Sequence, residues 1–196
     1  MNFTQRTLFA GAVLAGGKSS CSGQDKALLV VDGERLIDRQ LDLLSTLDPA
    51  ELVISGRAGP EYGCPGVLVV NDDVAEQGPL GGLAAIFAAT LSPHVLVVAV
   101  DLPAISPYFL SELCALRASD RGAAPLTARG WEPRVAIYPR ICVARIHQHL
   151  REGRLAMQDF LTAAAAAGEI KALQVTAEDE PLLVNCNRPA DIAGAE

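Results

Sequence analysis

The chain has 196 residues, half of them hydrophobic and a fifth charged, with a formal net charge of −7. That length fits a single domain over residues 1–196 with a full core, and an acidic balance without a long basic run argues against a nucleic-acid coat. No apolar run is long enough to span a bilayer, so no membrane partner is expected and the expected compartment is the cytoplasm.

The opening "MNFTQRTLFAGAVLAGG" has one arginine and an apolar run, as a signal peptide would. It continues straight into a glycine-rich loop with no polar region between, so "LFAGAVLA" (8–15) is read as a buried first strand. "ERLIDRQLDLLSTL" (34–47) carries Leu36, Ile37, Leu41, Leu44 and Leu47 close to helical spacing. "ELVISG" (51–56) and "GVLVVND" (66–72) are short apolar runs ending in turn or polar residues, and "LGGLAAIFAATL" (80–91) suggests a helix weakened by its glycines. "HVLVVAVDLP" (94–103) is the clearest buried strand, and it ends in Asp101. Ser106 and Pro107 then offer an N-cap and a first-turn proline for a helix over 106–118.

Farther on, "PRVAIYP" (133–139) and "IKALQVT" (170–176) read as strands, and segments 140–153 and 155–168 as helices, each closed by a glycine. "PADIAGAE" (189–196) is expected to begin a short terminal helix. Apolar strands separated by helices imply an α/β fold with a mostly parallel sheet covered on both faces. In such sheets ligands sit beyond the carboxyl ends of the strands. The glycine loop, the pair Asn71 and Asp72, and Asp101 each follow such a strand, so the three should meet on one edge.

The loop at 16–26 supplies small residues and backbone N–H groups that can approach an anion closely. Its spacing is not that of a Walker A motif, since Gln24 stands where that motif has lysine, and it is not the dinucleotide fingerprint. Of the three lysines, Lys18 and Lys26 flank this loop, which makes a phosphate site more plausible than a plain strand-to-helix turn. Asp101, at the end of a buried strand, is placed to hold Mg²⁺, a cation that keeps waters beside substrate phosphates; the other reading is a turn or cap aspartate. "GPLGG" (78–82) is expected to form a second glycine-rich bend. His147 and His149, two apart on an expected helix, point to different sides and cannot share a metal. Five cysteines (Cys21, Cys64, Cys114, Cys142, Cys186), with no Cys-x-x-Cys pair, indicate thiols rather than a disulfide frame or zinc site.

Taken together, "LAGGKSSCSGQDKALL", "NDDVAEQGPLGGL", "VDLP" and "NCNRPADI" occur in the order and near the spacings of molybdenum cofactor guanylyltransferases, which the chain resembles from about residue 10 to 193. The resemblance implies a Rossmann-like three-layer sandwich of nucleotidyltransferase type. It also implies GMP transfer from Mg-GTP to molybdopterin with release of pyrophosphate, so GTP, molybdopterin and Mg²⁺ are the expected small molecules. Molybdoenzymes or cofactor-delivery proteins are the implied protein partners. By matching motif, Leu14, Ala15, Gly16 and Gly17 would line the nucleotide site, with Ser55 and Asp72 on the nucleoside side. Lys26 would contact the phosphates, Asp101 would hold the magnesium, and Asn185 and Asn187 would lie near the acceptor. The loop departs from the family's usual S-x-R-M-G: Cys21 stands where an arginine would offer two donors to the leaving pyrophosphate. Two other readings stay open: a nucleotide-binding paralogue with weak or no turnover, and a transferase using CTP or another acceptor.

Overall fold

A computed structural model describes residues 8–15, 25–56, 62, 64–71 and 77–185. Among these, an eight-stranded sheet runs in the order β10-β7-β9-β6-β1-β4-β5, with β8 paired to β7. The members are β1 (Ala10–Leu14), β4 (Glu51–Gly56), β5 (Leu68–Asn71), β6 (His94–Ala99), β7 (Gly122–Thr127), β8 (Gly130–Trp131), β9 (Val135–Pro139) and β10 (Ile170–Gln174). A separate hairpin joins β2 (Val30–Val31) to β3 (Glu34–Arg35). The pairs β1–β4, β1–β6, β4–β5 and β10–β7 are parallel. Strand β9 runs against both β6 and β7, so the sheet is mostly, but not wholly, parallel.

Side-chain alternation along the strands feeds two cores, one on each face of the sheet. Val13, Ile54, Leu96 and Val98 point to α1 (Leu36–Ser45) and α3 (Pro107–Ala115). Ala10, Ala12, Val95 and Val97 point instead to α2 (Gly78–Ala89), α4 (Val143–Arg151) and α5 (Met157–Ala166). The layers are therefore helix, sheet, helix, as expected from sequence. Each fully buried Leu, Ile or Phe in them contributes roughly 1.5–3 kcal/mol relative to exposure. Ser106 caps α3 by accepting from the Phe109 amide at 3.2 Å, with Pro107 at the first helical position. At the opposite end of the sheet from the expected ligand edge, the Arg140 guanidinium donates to the carbonyls of Phe87, Thr90 and Ser92 at 3.2, 2.6 and 3.0 Å.

The glycine-rich stretch 78–82 is the first turn of α2, not a bend. Gly78 opens the helix with a positive φ of 57°, and Gly81 serves close packing, since a Cβ there would sit 2.6 Å from the Gln77 Cβ. Strand β7 has no apolar alternation to reveal it, and its first residue must be glycine for a similar reason. A Cβ on Gly122 would lie 1.9 Å from the Ile137 carbonyl oxygen on β9, a backbone atom that cannot rotate away. Gly122→Ala is expected to destabilise the protein by about 3 kcal/mol, read as a shift of the urea unfolding midpoint.

His147 is exposed whereas His149 is buried with its ring edge-on to Phe160, so the two do diverge as their spacing requires. Cys64, Cys114 and Cys142 are free thiols; Cys21 and Cys186 lie outside the described residues, as does the expected terminal helix at 189–196. Among the described residues no helix is long and apolar enough to cross a membrane.

Candidate active site

The chain after β1 turns toward β4, whereas the chain after β6 leaves through α3 toward β7. The carboxyl ends of β1 and β6 thus flank a topological switch point, where open α/β sheets leave a crevice for ligands. The strands are tied up to that rim. The Ala15 amide donates to the Ser55 carbonyl at 2.8 Å, and the Val100 amide donates to the Leu14 carbonyl at 3.1 Å. Leu14 and Ala15 therefore sit at the centre of the edge, with those two backbone groups already used by the sheet. Amide donors for an anion would have to come from residues beyond them.

Asp101 follows directly. It stands in a turn closed by the Leu102 amide donating to the Ala99 carbonyl at 3.3 Å, and the buried Gln40 side chain of α1 donates to the Leu102 carbonyl at 2.9 Å. The Oδ1 atom of Asp101 is buried and has no hydrogen-bond partner among the described residues. Burial pushes this carboxyl above the ordinary carboxylate range, Arg134 and then Lys26 pull it back down, and Glu132 pushes it up. Lys26 and Asp101, far apart in sequence, are thus within electrostatic reach of each other at one rim.

Lys26 is aimed by a network that sequence reading missed. It opens a single 3₁₀ turn, Lys26–Leu28, capped by Asp25, whose Oδ1 accepts from the Ala27 amide at 3.0 Å. The other carboxylate oxygen of Asp25 accepts from the buried Tyr62 hydroxyl at 2.7 Å. Arg35 donates to the Tyr62 carbonyl at 3.2 Å while forming a two-bond pair with Asp38. Gly56, at the tip of β4, makes room for the ring, since a Cβ there would be 2.7 Å from the Tyr62 hydroxyl oxygen.

The far wall was also missed. Glu132 accepts from the Arg134 Nε at 2.9 Å and from its Nη2 at 2.7 Å; the same Nη2 donates to the Leu183 carbonyl at 3.2 Å. The Arg134 Nη1 lies 3.8 Å from the Asp101 Oδ1, close enough to pair charges but too far for a hydrogen bond. Through Leu183 this wall reaches the segment that carries Asn185, which is exposed.

Of the expected site residues, the structure brings Leu14, Ala15, Lys26 and Asp101 to one rim. Ser55 is there too, but it is fully buried, and its hydroxyl has no hydrogen-bond partner among the described residues. Gly16, Gly17, Cys21, Asp72 and Asn187 lie outside the described residues; Asn71, just before Asp72, closes β5. No group of three His, Cys, Asp or Glu residues able to cage a metal occurs among the described residues. The Asp101 carboxylate, with an orphaned, buried oxygen, fits Mg²⁺, which takes one or two protein carboxylates and fills its other positions with waters and phosphate oxygens.

Residues 11–167 match the model of the MobA-like NTP transferase domain. The chain belongs to this family. Among relatives of the MobA-like chain, a protein of Xanthomonas euvesicatoria named molybdenum cofactor guanylyltransferase is 35% identical over 191 residues, covering 92% of this chain and 90% of that one. A protein of Opitutus terrae named "Probable molybdenum cofactor guanylyltransferase" is 36% identical over 185 residues, covering 93% and 92%. Among solved structures, molybdopterin-guanine dinucleotide biosynthesis protein A of Archaeoglobus fulgidus superposes with a TM-score of 0.71 at 20% identity, covering 95% of this chain and 96% of that one. The superposition speaks for the MobA-like fold alone; the sequence relatives place the chain in the same family of nucleotidyltransferases.

Proposed function

We propose that the chain transfers GMP from Mg-GTP to molybdopterin and releases pyrophosphate. The observation that carries this reading is the meeting of Lys26 and Asp101 at the β1/β6 switch point in a MobA-like chain. An oxygen of the acceptor's phosphate forms a bond to the α-phosphorus of GTP. The bond from that phosphorus to the bridging oxygen of the β-phosphate breaks, and its electron pair leaves with pyrophosphate. The attacking oxygen is already anionic near neutral pH, so no side chain has to remove a proton. Positioning and charge neutralisation are then nearly the whole task.

In this scheme Leu14, Ala15, Gly16 and Gly17 line the nucleotide, with Asp72 on its nucleoside side. Ser55 supports the lining from behind, through the carbonyl that holds the Ala15 amide. Lys26 offsets charge on the leaving phosphates, and Asn185 and Asn187 flank the acceptor. Asp101 would hold the magnesium, which supplies charge neutralisation at the phosphates when bound. The orphaned Oδ1 supports that assignment.

Purified protein incubated with Mg²⁺, molybdopterin and each of GTP, CTP, ATP and UTP tests the reading. Pyrophosphate release and dinucleotide formation are expected with GTP. Release with CTP instead would move the chain to cytidylyl transfer, and GTP binding without any release would make it a non-catalytic relative. The Asp25–Tyr62 network gives a finer prediction. Tyr62→Phe keeps the ring but removes the bond to Asp25, and it should weaken GTP binding about tenfold, by calorimetry, while kcat at saturating GTP stays close to the parent value.

A further inference from the structure

We infer that Arg134 is an acceptor-binding residue: its guanidinium receives the phosphate of the acceptor, opposite Lys26 across Asp101. The inference rests on the transfer reading above and adds where the second substrate sits. The sheet order divides the rim into two halves. The residues assigned to the nucleotide follow β1, β4 and β5, all on one side of β6, whereas Arg134 and Glu132 immediately precede β9 on the other. Asp101 stands between them at the end of β6. A phosphate held beside Arg134 would place its oxygens against Asp101 from the side opposite the nucleotide, as displacement with pyrophosphate leaving on the Lys26 side requires.

The guanidinium is built for this. Glu132 takes its Nε and one terminal nitrogen, and the Leu183 carbonyl takes that same terminal nitrogen, so the plane is fixed before any ligand arrives. Among the described residues the remaining Nη1 makes no hydrogen bond; its nearest charge is Asp101 at 3.8 Å. The side chain is 30% exposed, so this rigid, permanently charged donor faces an accessible rim. A pre-oriented guanidinium matches a phosphomonoester better than a mobile ammonium does. The bond to Leu183 also draws the segment that carries Asn185 to the same half, so that two separate pieces of chain supply acceptor contacts there.

The test is a set of variants, Arg134→Leu, Arg134→Lys and the double change Glu132→Gln with Arg134→Gln. The double variant removes both charges together and so guards against misfolding caused by a stranded Glu132. Two measurements are made on each: equilibrium binding of molybdopterin in the presence of a non-hydrolysable GTP analogue, and binding of that analogue alone. Arg134→Leu and the double variant should weaken molybdopterin binding by about 10–100-fold, the loss expected for a charge-assisted contact, with analogue binding unchanged within about twofold. Arg134→Lys should recover part of the loss. Equal loss of both ligands, or loss of neither, would overturn the assignment. These are binding measurements, so a parent protein that binds both ligands yet releases no pyrophosphate would defeat the transfer reading while still deciding the role of Arg134.

Discussion

Asp101→Asn should cut GMP transfer by about a thousandfold without lowering the melting temperature. The first half of that expectation follows from removing the carboxylate at the end of β6, the group assigned to the cation. Loss of a single preorganised charge-stabilising group costs on the order of 10²–10³ in rate, and a residue assigned to hold the cation stands at the upper end of that range. The second half follows from its environment. Burial raises the folded-state pKa of this carboxyl, so its ionised form opposes folding. The penalty is absent at pH values below the unfolded-state pKa, grows as pH rises from there, and is complete only above the folded-state value. Asparagine keeps the volume and removes the charge, while the Arg134 contact it sacrifices is long and partly exposed. A variant that lost activity and stability together would show Asp101 to be a structural residue. Retained transfer would remove it from the metal site.

Cys21→Arg should raise kcat by about a hundred- to a thousandfold and leave GTP affinity within a few-fold of the parent. Cys21 lies outside the described residues; it follows β1 in sequence, where the resemblance to molybdenum cofactor guanylyltransferases implies an arginine in S-x-R-M-G. An arginine donates to the departing pyrophosphate as charge builds on it, which lowers the barrier without tightening the ground state; one such donor is worth about 2.7–4 kcal/mol. Steady-state kinetics with GTP and molybdopterin, beside a direct GTP titration, separates the two effects. An unchanged kcat would mean that another group already covers the leaving phosphates, and a gain confined to GTP affinity would mean that the loop binds rather than catalyses.

The fold was legible wherever burial was continuous. Strand β4 occupies the same six residues that the apolar run predicts, and the Ser106 cap and Pro107 start of α3 follow from short-range chemistry alone. Asp101 could be singled out because it follows an apolar strand, where the strand rule gives a location to a polar residue, and Lys26 because it flanks the glycine-rich loop that follows the first strand. What escaped reading was set by distant partners. Tyr62 matters through Asp25, 37 positions away, and Gln40 through Leu102, 62 positions away. Nothing in the neighbourhood of either residue announces that bond. Gly81 reads as a turn signal although it serves close packing within a helix, and the Gly-Ala-Ala-Pro start of β7 offers no apolar period to detect. The direction of β9 depends on the short β7–β8 hairpin before it, a tertiary fact that the apolar run at 133–139 does not encode.

That reversed strand has a consequence for how such a protein can change. On the β1 side of the rim, β1 is joined to β4 through α1 and β5 to β6 through α2, so altering those connections disturbs a helical layer. The pieces that precede β9 hang from a small β-ribbon and can be grafted as a unit. A chimera that exchanges segment 127–134 for the equivalent ribbon of a homologue should switch preference for the second substrate and inherit the same choice of nucleoside triphosphate, which makes this corner of the molecule the natural handle for redirecting it.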